Sequence, residues 1–543
     1  MKKRMLLMFC GVLVMPLLCL SVRAEDEPIE DGPKFKMPAR ESFREIVDDW
    51  TYARDAEVPG RKLKVTVSPA ELPYPLLKYR FNIYATEMES GNAAPLYSEA
   101  HARLDIFRAN VLAGQVYRSQ EYAETMWPKQ FGKEPLKGNE DIDELTRLQF
   151  KAFPIQAMWA YEVPEEIDAA KEEWLYSGTQ SVFQLMEKGS KKRDCDWGYL
   201  TEYKGIATSL EHISQMRDLA RFLAGKANWE IRNGKYDDAV KTIRTGLQLA
   251  EHLKTSDYPC IMTSLVGIAI QGIMESEIRL LSAQPDAPNL YPALTQLVER
   301  NDVFQKSLQA EQYWLFSRKN IQEIFERMDS ATEDEYKMLL DEMLTLMFQV
   351  NQDDYEKKFD TTNVRSLACI ACYPYGKERL LKQGFSSEDI DAMSVYRVVV
   401  PYILEEIKAA YDQLIVASSF PVDSKHTAIV FDDSSYMDVA ESPARIYLAL
   451  LLPAVQAAKY ANLRVQQSFE LLKITEAVRY YAAVHDGKLP ESLEAMEELY
   501  VTTINPIDGK PFVYRLEGNK AIIDFYIHGN GLSRLEIVVD SGL

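Results

Sequence analysis

The clearest alternation of apolar and polar positions in the sequence lies between Leu219 and Leu253. Apolar residues recur there at three- and four-residue steps, the spacing that places side chains on one face of an α-helix. The pattern is interrupted at Asn233-Gly234-Lys235, where the glycine favours a tight turn. Two helices joined by so short a turn are predicted to form an antiparallel hairpin. Its apolar positions are Leu219, Leu223, Ala227, Ile231, Tyr236, Ala239, Val240, Ile243, Leu247 and Ala250. The small residues Ala227, Ala239 and Gly246 are predicted to let the two backbones approach closely.

Two further helical stretches follow the hairpin. Thr332-x-x-Glu335 has the spacing of a capping box, in which two side chains satisfy the free N–H groups at the start of a helix. It precedes a predicted helix over Tyr336–Val350. A second helical stretch is predicted over Ser386–Leu414, with Pro401 beginning or kinking a helix. The predicted core positions of the first helix are Met338, Leu339, Met343, Leu346 and Met347.

The C-terminal region changes from helical to mixed periodicity. A helix from about Val465 is predicted to end at Asp486-Gly487, where glycine can adopt the left-handed conformation. A short helix over Glu491–Tyr500 and turns at Asn505-Pro506 and Asp508-Gly509 are predicted to follow. The predicted strands are Phe512–Leu516, Ala521–His528 and Leu535–Val539, with Glu517-Gly518-Asn519 closing a β-hairpin. This combination predicts a small α+β module.

The first residues have the pattern of an export signal. Basic residues at Lys2, Lys3 and Arg4 precede an apolar run, and Val22-Arg23-Ala24 is a small-residue cleavage site. Cleavage is predicted after Ala24, and retention of the signal as an anchor is the alternative. The mature chain is therefore predicted to be periplasmic or extracellular. Its apolar stretches Ile261–Met274 and Ile446–Val455 are predicted to be buried helices, so no membrane span is expected in it.

The chain is too long for a single hydrophobic core, so several domains are expected. The predicted organisation is a signal peptide (1–24), an acidic leader and linker (25–70), a helical-repeat region (71–300), a second helical region (301–441) and a C-terminal α+β module (442–543). The predicted fold class is mainly α, built from antiparallel helical hairpins in a solenoid or multi-helix array.

The surface charge excludes several classes of partner. The chain has 62 Lys and Arg against 82 Asp and Glu, a formal net charge of −20. The predicted signal contains Lys2, Lys3, Arg4 and Arg23 and no acidic residue, so the mature chain would carry −24. Because phosphate backbones and anionic lipids would be repelled, neither nucleic acid nor a membrane surface is an expected partner.

Part of the chain resembles known repeat proteins. The segment "GKYDDAVKTIRTGLQLAE" resembles the second half of a tetratricopeptide repeat. The wider mature chain resembles a family of secreted helical proteins from planctomycete-type bacteria through "LLKYRFNIYATEMESGNAAPLY", "DAPNLYPAL" and "YPYGKERLLKQGFSSEDIDAM". This resemblance implies an architecture and a location outside the cytoplasm, and it implies no catalytic residue.

The segment Leu450–Gly531 resembles the body of a major pseudopilin of type II secretion. The resemblance lies in "LLLPAVQAAK", "YYAAVHDGKLPESLEAM" and "NPIDGKPFVYRLEGNKAIIDFYIHGNG". A pilin begins with its hydrophobic helix, whereas this helix lies deep in the chain. The loop "GNGLSRLE" also lacks the cluster of acidic oxygen ligands of a calcium site. The resemblance therefore implies a borrowed or convergent fold without bound calcium.

Four cysteines of the mature chain are the strongest candidates for special chemistry. Cys369 and Cys372 form a C-x-x-C pair, and Cys195 and Cys260 lie elsewhere. A structural disulfide, for which four cysteines allow three connectivities, or buried thiols are predicted. A redox dithiol and a zinc site are the alternatives, but no thioredoxin-like βαβ pattern surrounds the pair.

No catalytic, cofactor-binding or metal-binding residue is predicted. The six histidines form no H-x-x-x-H pair, and there is no G-x-S-x-G elbow or glycine-rich phosphate loop. The predicted function is therefore protein–protein interaction or an envelope scaffold, with an envelope protein as the partner. A hydrolase that acts on an envelope or extracellular polymer through a carboxylate pair is the first alternative. An accessory subunit of a secretion or pilus-like assembly is the second.

Overall fold

The computed structural model describes eleven stretches of the chain and two single residues, all between residues 62 and 540. They are 62–107, 169–198, 211–255, 260–297, 303–316, 330–348, 361–418, 444, 446–496, 498–499, 501, 504–527 and 531–540. The predicted signal peptide, its cleavage site after Ala24 and most of the predicted leader lie outside these residues. The described fold is mainly helical, with a small C-terminal β-sheet.

The helices and strands are labelled in chain order. The helices are α1 (which includes residues 94–107), α2 (Ala169–Gly178), α3 (Gln180–Ser190), α4 (Glu211–Arg232), α5 (Tyr236–Thr255), α6 (Ile261–Ser282), α7 (Tyr291–Thr295), α8 (Val303–Phe316), α9 (Glu333–Phe348), α10 (Thr361–Lys382), α11 (Ser387–Asp391), α12 (Val395–Ser418) and α13 (Ile446–Val484). The strands are β1 (Lys62–Val67), β2 (Glu89–Asn92), β3 (Lys192–Asp194), β4 (Val513–Glu517), β5 (Lys520–Ile527) and β6 (Gly531–Val539).

The two helices on either side of Gly234 are confirmed as α4 and α5. Gly234 has a φ of +69°, a left-handed conformation that glycine adopts without steric cost. The predicted apolar stripes are buried, and α4, α5 and α6 contribute to one hydrophobic core. A Cβ at Gly246 would collide with the Met274 side chain, so this glycine makes room for α6.

A second core lies between α9, α10 and α12. The capping box at the start of α9 is confirmed, since the Thr332 backbone N–H donates to Glu335 Oε2 at 2.7 Å and the Glu335 N–H donates to Thr332 Oγ1 at 3.3 Å. Met338 is 64% exposed, so its predicted place in the core is wrong. The buried stripe of α9 is Tyr336, Leu339, Leu340, Met343 and Leu344. The side chains of Leu346 and Met347 lie outside the described residues.

The stretch predicted as helical over Ser386–Leu414 contains two helices, α11 and α12. Ser386 caps α11 in a capping box with Asp389. Pro401 lies inside α12, which already begins at Val395, so of its two predicted roles, beginning or kinking a helix, the first is wrong. Helix α12 also contacts α8 and α13 in a third core that includes Leu308, Leu414 and Val455.

Helix α13 runs without interruption over Ile446–Val484, where the sequence predicted two separate helical stretches. It contributes side chains to three cores. Phe469 and Leu472 lie in the core of α4, α5 and α6, and Val455 and Ala458 lie in the core shared with α8 and α12. Other side chains of α13 lie in the core under the sheet. Helix α13 ends as predicted, because Asp486 and Gly487 have φ values of 56° and 77° and the Gly487 N–H donates to the Ala482 carbonyl at 2.8 Å.

The C-terminal sheet has the strand order β1-β6-β5-β4. The three predicted strands and the turn at Gly518 are confirmed as the antiparallel set β4, β5 and β6. The fourth strand, β1, pairs in parallel with β6 from Lys62↔Arg534 to Val67↔Val539, although it lies within the segment predicted as leader and linker. The predicted helix over Glu491–Tyr500 is wrong. Its described residues form turns with i→i+3 bonds, such as the Leu499 N–H to the Met496 carbonyl at 3.0 Å.

A fully buried ion pair on α13 ties the sheet to the helices. Arg479 donates to Glu476 from Nη1, to the Ser68 carbonyl from Nε at 3.0 Å and to the Ala287 carbonyl from Nη2 at 2.8 Å. Glu476 Oε2 accepts the Leu290 N–H at 2.8 Å. Both side chains are 0% exposed. The pair therefore holds the end of β1 and the loop between α6 and α7 against α13.

Helix α6 is the one helix among the described residues that has the length and composition to cross a bilayer. Its apolar window is 67% buried inside the protein. The buried helices of protein cores meet the same criterion, so this is weak evidence for a membrane span.

Glu277 of α6 is predicted to make stability depend on pH. Burial raises its pKa to about 8, and Oε2 has no hydrogen-bond partner. The folded pKa of Glu277 lies above its unfolded value of 4.5. The stability that this carboxyl group contributes is therefore fully present below pH 4.5 and is lost as the pH rises towards 8. Glu277→Gln carries no proton to lose, so its stability relative to wild type is expected to rise between pH 5 and pH 8 by at least about 1.4 kcal/mol, the value of one pKa unit.

Chemical denaturation of both proteins at pH 5 and pH 8 measures this difference. Asn228 and Arg232 of α4 face Glu277 and are unchanged in the variant, so the comparison isolates the carboxyl group. An equal difference between variant and wild type at the two pH values would contradict the prediction.

Candidate functional site

The candidate functional site is a cavity of about 420 Å³. Two segments, one before β2 and one around β3, form part of its wall, and the helices α5, α6 and α13 form most of the rest. Its described lining residues are Phe81, Asn82, Ile83, Met88, Arg193, Asp194, Cys195, Leu247, Gln248, Glu251, His252, Lys254, Thr255, Gln271, Leu297, Asn462, Val465, Gln466 and Phe469. A cavity of this size that collects polar groups from separate segments is the usual form of a ligand site.

Local contacts bring these distant segments together. Strands β2 and β3 pair in parallel, and Lys192 Nζ donates to Glu89 Oε2 at 2.8 Å. Asn82 Nδ2 donates to the Gln296 carbonyl at 3.1 Å, which ties the first segment to the residues after α7. Between α5 and α6, the lack of a side chain at Gly267 leaves room for Lys254 and the Ala250 carbonyl. The cavity walls are thus fixed by contacts that join residues far apart in the sequence.

Two hydrogen bonds fix the tautomer of His252, and burial keeps its imidazole neutral. Its Nε2 lies 3.0 Å from the Lys192 carbonyl, which can only accept, so Nε2 carries the proton. Its Nδ1, 2.8 Å from the Tyr97 hydroxyl, therefore accepts. Burial lowers the pKa of His252 to about 4. A neutral imidazole with both nitrogens occupied is not available as a general base.

The charged residues of the lining balance one another. Lys254, only 4% exposed, forms an ion pair with Glu251 at 3.0 Å. Arg193 and Asp194 are exposed at the rim. Cys195 does not add a charge, because burial raises the pKa of its thiol. The described lining therefore has two basic and two acidic side chains, and it has no net charge to attract an ion.

The distinctive feature of the lining is its set of side-chain amides: Asn82, Gln248, Gln271, Asn462 and Gln466. Gln248, Gln271 and Asn462 make no side-chain hydrogen bond with any described residue. Gln248 is nevertheless only 8% exposed, and Asn82 Oδ1 is buried without a partner. An unpaired buried polar atom such as Asn82 Oδ1 costs free energy unless something binds it. The amides of Gln248, Gln271 and Asn462, which no described residue binds, are available to a ligand.

A second cleft, of about 560 Å³, is less well suited to binding. It is more open and lies between the start of α9 and the segment from Phe385 to Arg397. Its carboxylate at Asp389 is already committed to the capping box with Ser386. We therefore take the amide-lined cavity as the candidate site.

In the structure Cys195, Cys260, Cys369 and Cys372 are all buried free thiols, the second of the two predicted states, and no disulfide joins them. They lie on different elements, except that Cys369 and Cys372 are both inside α10, where they pack into the second core. Burial raises the pKa of Cys369, and it raises that of Cys372 to about 12. A thiol with so high a pKa is protonated at neutral pH, which does not suit a redox dithiol.

Apart from His252, the described histidines also have structural contacts. His212 stacks on Trp197 with ring centroids 4.8 Å apart, His485 stacks on Tyr481 at 3.8 Å, and His101 Nδ1 lies 3.1 Å from Asp105. His426 and His528 lie outside the described residues. Within the described ranges, no group of three or more His, Cys, Asp and Glu side chains is placed to hold a metal ion.

Sequence reasoning missed every amide of the cavity. Asn and Gln have no diagnostic spacing, and these five come from four separate segments of the chain. The one usable signal was a glutamine on an otherwise apolar helical face, as at Gln248, flanked by Leu247 and Leu249.

No protein-family model, curated protein or solved structure matches the chain. The assignment of a function therefore depends on the residues described above.

Proposed function

We propose that the chain is an exported, non-catalytic binding protein whose amide-lined cavity holds a segment of an envelope protein. The observation that carries this proposal is the contrast inside the cavity. The ionisable groups His252, Lys254 and Glu251 are committed to internal contacts, whereas the amides of Gln248, Gln271 and Asn462 are unpaired. Such a site is equipped to bind a polar ligand and poorly equipped to transfer protons.

The helical architecture supports the same function. In this proposal α4 and α5 are the two helices of a tetratricopeptide-like hairpin, and α6 packs on both of them. Helical-repeat arrays of this kind present concave surfaces to other proteins. Location in the periplasm or outside the cell is part of the proposal, and it is supported by the signal pattern that ends at Ala24. The accessory-subunit hypothesis has only the C-terminal sequence resemblance in its favour, and fold analogy does not carry function.

The test of this proposal removes the unpaired amides. Gln248→Leu and Gln271→Leu keep nearly the same side-chain volume and replace each amide by an apolar group. In-situ crosslinking in the native host, followed by mass spectrometry, is expected to recover one stoichiometric partner with wild type and to lose it with the double variant. Gln383→Leu is the matched control, since Gln383 is exposed beyond the end of α10 and does not line the cavity.

Stability separates loss of function from loss of folding in this test. Because the Gln248 amide makes no hydrogen bond with a described residue, Gln248→Leu breaks none and is expected to leave stability unchanged or to raise it by up to about 1 kcal/mol. A double variant that is as stable as wild type and still captures the partner would refute the proposal. Destabilisation by the double variant would instead show that the amides serve the fold.

A further inference from the structure

The unpaired amides also carry information about the chemical class of the ligand. We infer that the cavity binds an extended, uncharged peptide segment and recognises it through its main chain. This inference rests on the proposed function and narrows it to one type of ligand.

The first argument is the hydrogen-bonding character of the lining. Each side-chain amide offers N–H donors and a carbonyl acceptor on one planar group, which is the same pair that a peptide unit offers. Gln248 and Gln271 lie on the adjacent helices α5 and α6, and Asn462 lies on α13. Asn82 adds a buried carbonyl oxygen that lacks a donor. An extended main chain presents donors and acceptors at regular intervals, so it can satisfy several of these groups together.

The second argument is charge. The buried ammonium of Lys254 is already neutralised by Glu251, and His252 is neutral. Beyond the rim, where Arg193 and Asp194 lie, a charged ligand side chain would lose its water without an unpaired opposite charge in the described lining to compensate, which is costly. The residues of the bound segment that occupy the cavity are therefore uncharged.

The third argument distinguishes a peptide from a saccharide. The two phenylalanines of the lining, Phe81 and Phe469, are 1% and 4% exposed, so neither presents a ring face on which a sugar could stack. The partly exposed apolar lining consists of aliphatic and thioether side chains at Ile83, Met88, Leu297 and Val465. These contacts suit small aliphatic side chains that alternate with main-chain hydrogen bonds.

The test uses a library of tetrapeptides blocked at both ends and composed of Ala, Val, Ser, Thr, Asn and Gln. The full chain is equilibrated with this library, and the retained peptides are quantified by mass spectrometry. Wild type and Gln383→Leu are each expected to retain at least about tenfold more peptide than the double variant Gln248→Leu/Gln271→Leu. The double variant lacks two amides, so the peptide groups that they would bind are left unpaired. The same library with N-methylated peptide bonds, and a library containing Glu or Lys, are expected to be retained about tenfold less.

Several outcomes overturn the inference. Equal retention of the N-methylated library would mean that the main chain is not recognised, and preference for the charged library would contradict the charge argument. Retention of cellotetraose in place of any peptide would identify a saccharide site. If no peptide is retained but partner capture in the host still depends on Gln248 and Gln271, the peptide inference fails and the proposed function stands. If capture does not depend on them, the proposed function itself fails.

Discussion

Arg479→Met is expected to lower the free energy of unfolding by about 3–5 kcal/mol. The substitution leaves Glu476 as a charge without its partner in a position that is 0% exposed. It also removes the donors to the carbonyls of Ser68 and Ala287, which hold the end of β1 and the loop before α7. Loss of one partner from a buried ion pair is among the most costly single substitutions, because the remaining charge has no water to stabilise it.

Urea denaturation of the full chain measures this effect, with Lys382→Met as the matched control. Lys382 forms an ion pair with Glu378 at 2.8 Å on α10, and both side chains are mostly exposed. Such exposed pairs contribute at most about 1 kcal/mol. The double variant Arg479→Met/Glu476→Leu is expected to be more stable than Arg479→Met, since it removes the uncompensated charge. The account of this ion pair is wrong if Arg479→Met costs no more than the control.

Two glycines of α6 are expected to respond to alanine with opposite signs. A Cβ at Gly267 would lie 2.6 Å from Lys254 Cγ and 2.8 Å from the Ala250 carbonyl oxygen, closer than atoms can approach. Helices α5 and α6 would have to separate, so Gly267→Ala is expected to cost about 1–3 kcal/mol, as other overpacked cores do. At Gly272, the same Cβ would make an ordinary 3.8 Å contact with Val465, and alanine is expected to stabilise the helix by about 0.5–1 kcal/mol.

Thermal unfolding of the two variants under identical conditions tests this pair, and each serves as the control of the other. Stabilisation by both substitutions would show that helix propensity dominates and that α5 and α6 do not approach as closely as described, whereas destabilisation by both would contradict the open position at Gly272. Because Lys254 and Gly267 are close to the cavity, Gly267→Ala is also expected to disturb the amide-lined site more than Gly272→Ala.

The parts of the fold that the sequence predicted well depend on local chemistry. Leu219 and Leu223 are at helical spacing, Thr332 and Glu335 form a capping box, and Gly487 ends α13 in a left-handed conformation. In each of these cases the signal and its structural effect lie within a few residues of each other. Such patterns are therefore legible in a single sequence.

The parts that the sequence missed depend on partners far away in the chain. Strand β1 forms against β6, more than four hundred residues later, so Lys62–Val67 resembles a linker until its partner is known. His252 Nδ1 accepts a hydrogen bond from Tyr97, 155 positions earlier. Met338 follows a helical apolar pattern but faces solvent, because α9 buries the stripe that begins at Tyr336. The cavity is of this second kind, since four separate segments supply its amides.

The central claim is that a protein partner occupies the amide-lined cavity. A photo-crosslinking amino acid in place of Arg193, which is exposed on the cavity rim, tests it most directly in the native host. A single stoichiometric adduct from position 193, and none from the same amino acid at position 383, is the expected result. Equal adducts from both positions, or no adduct from position 193, would contradict the claim.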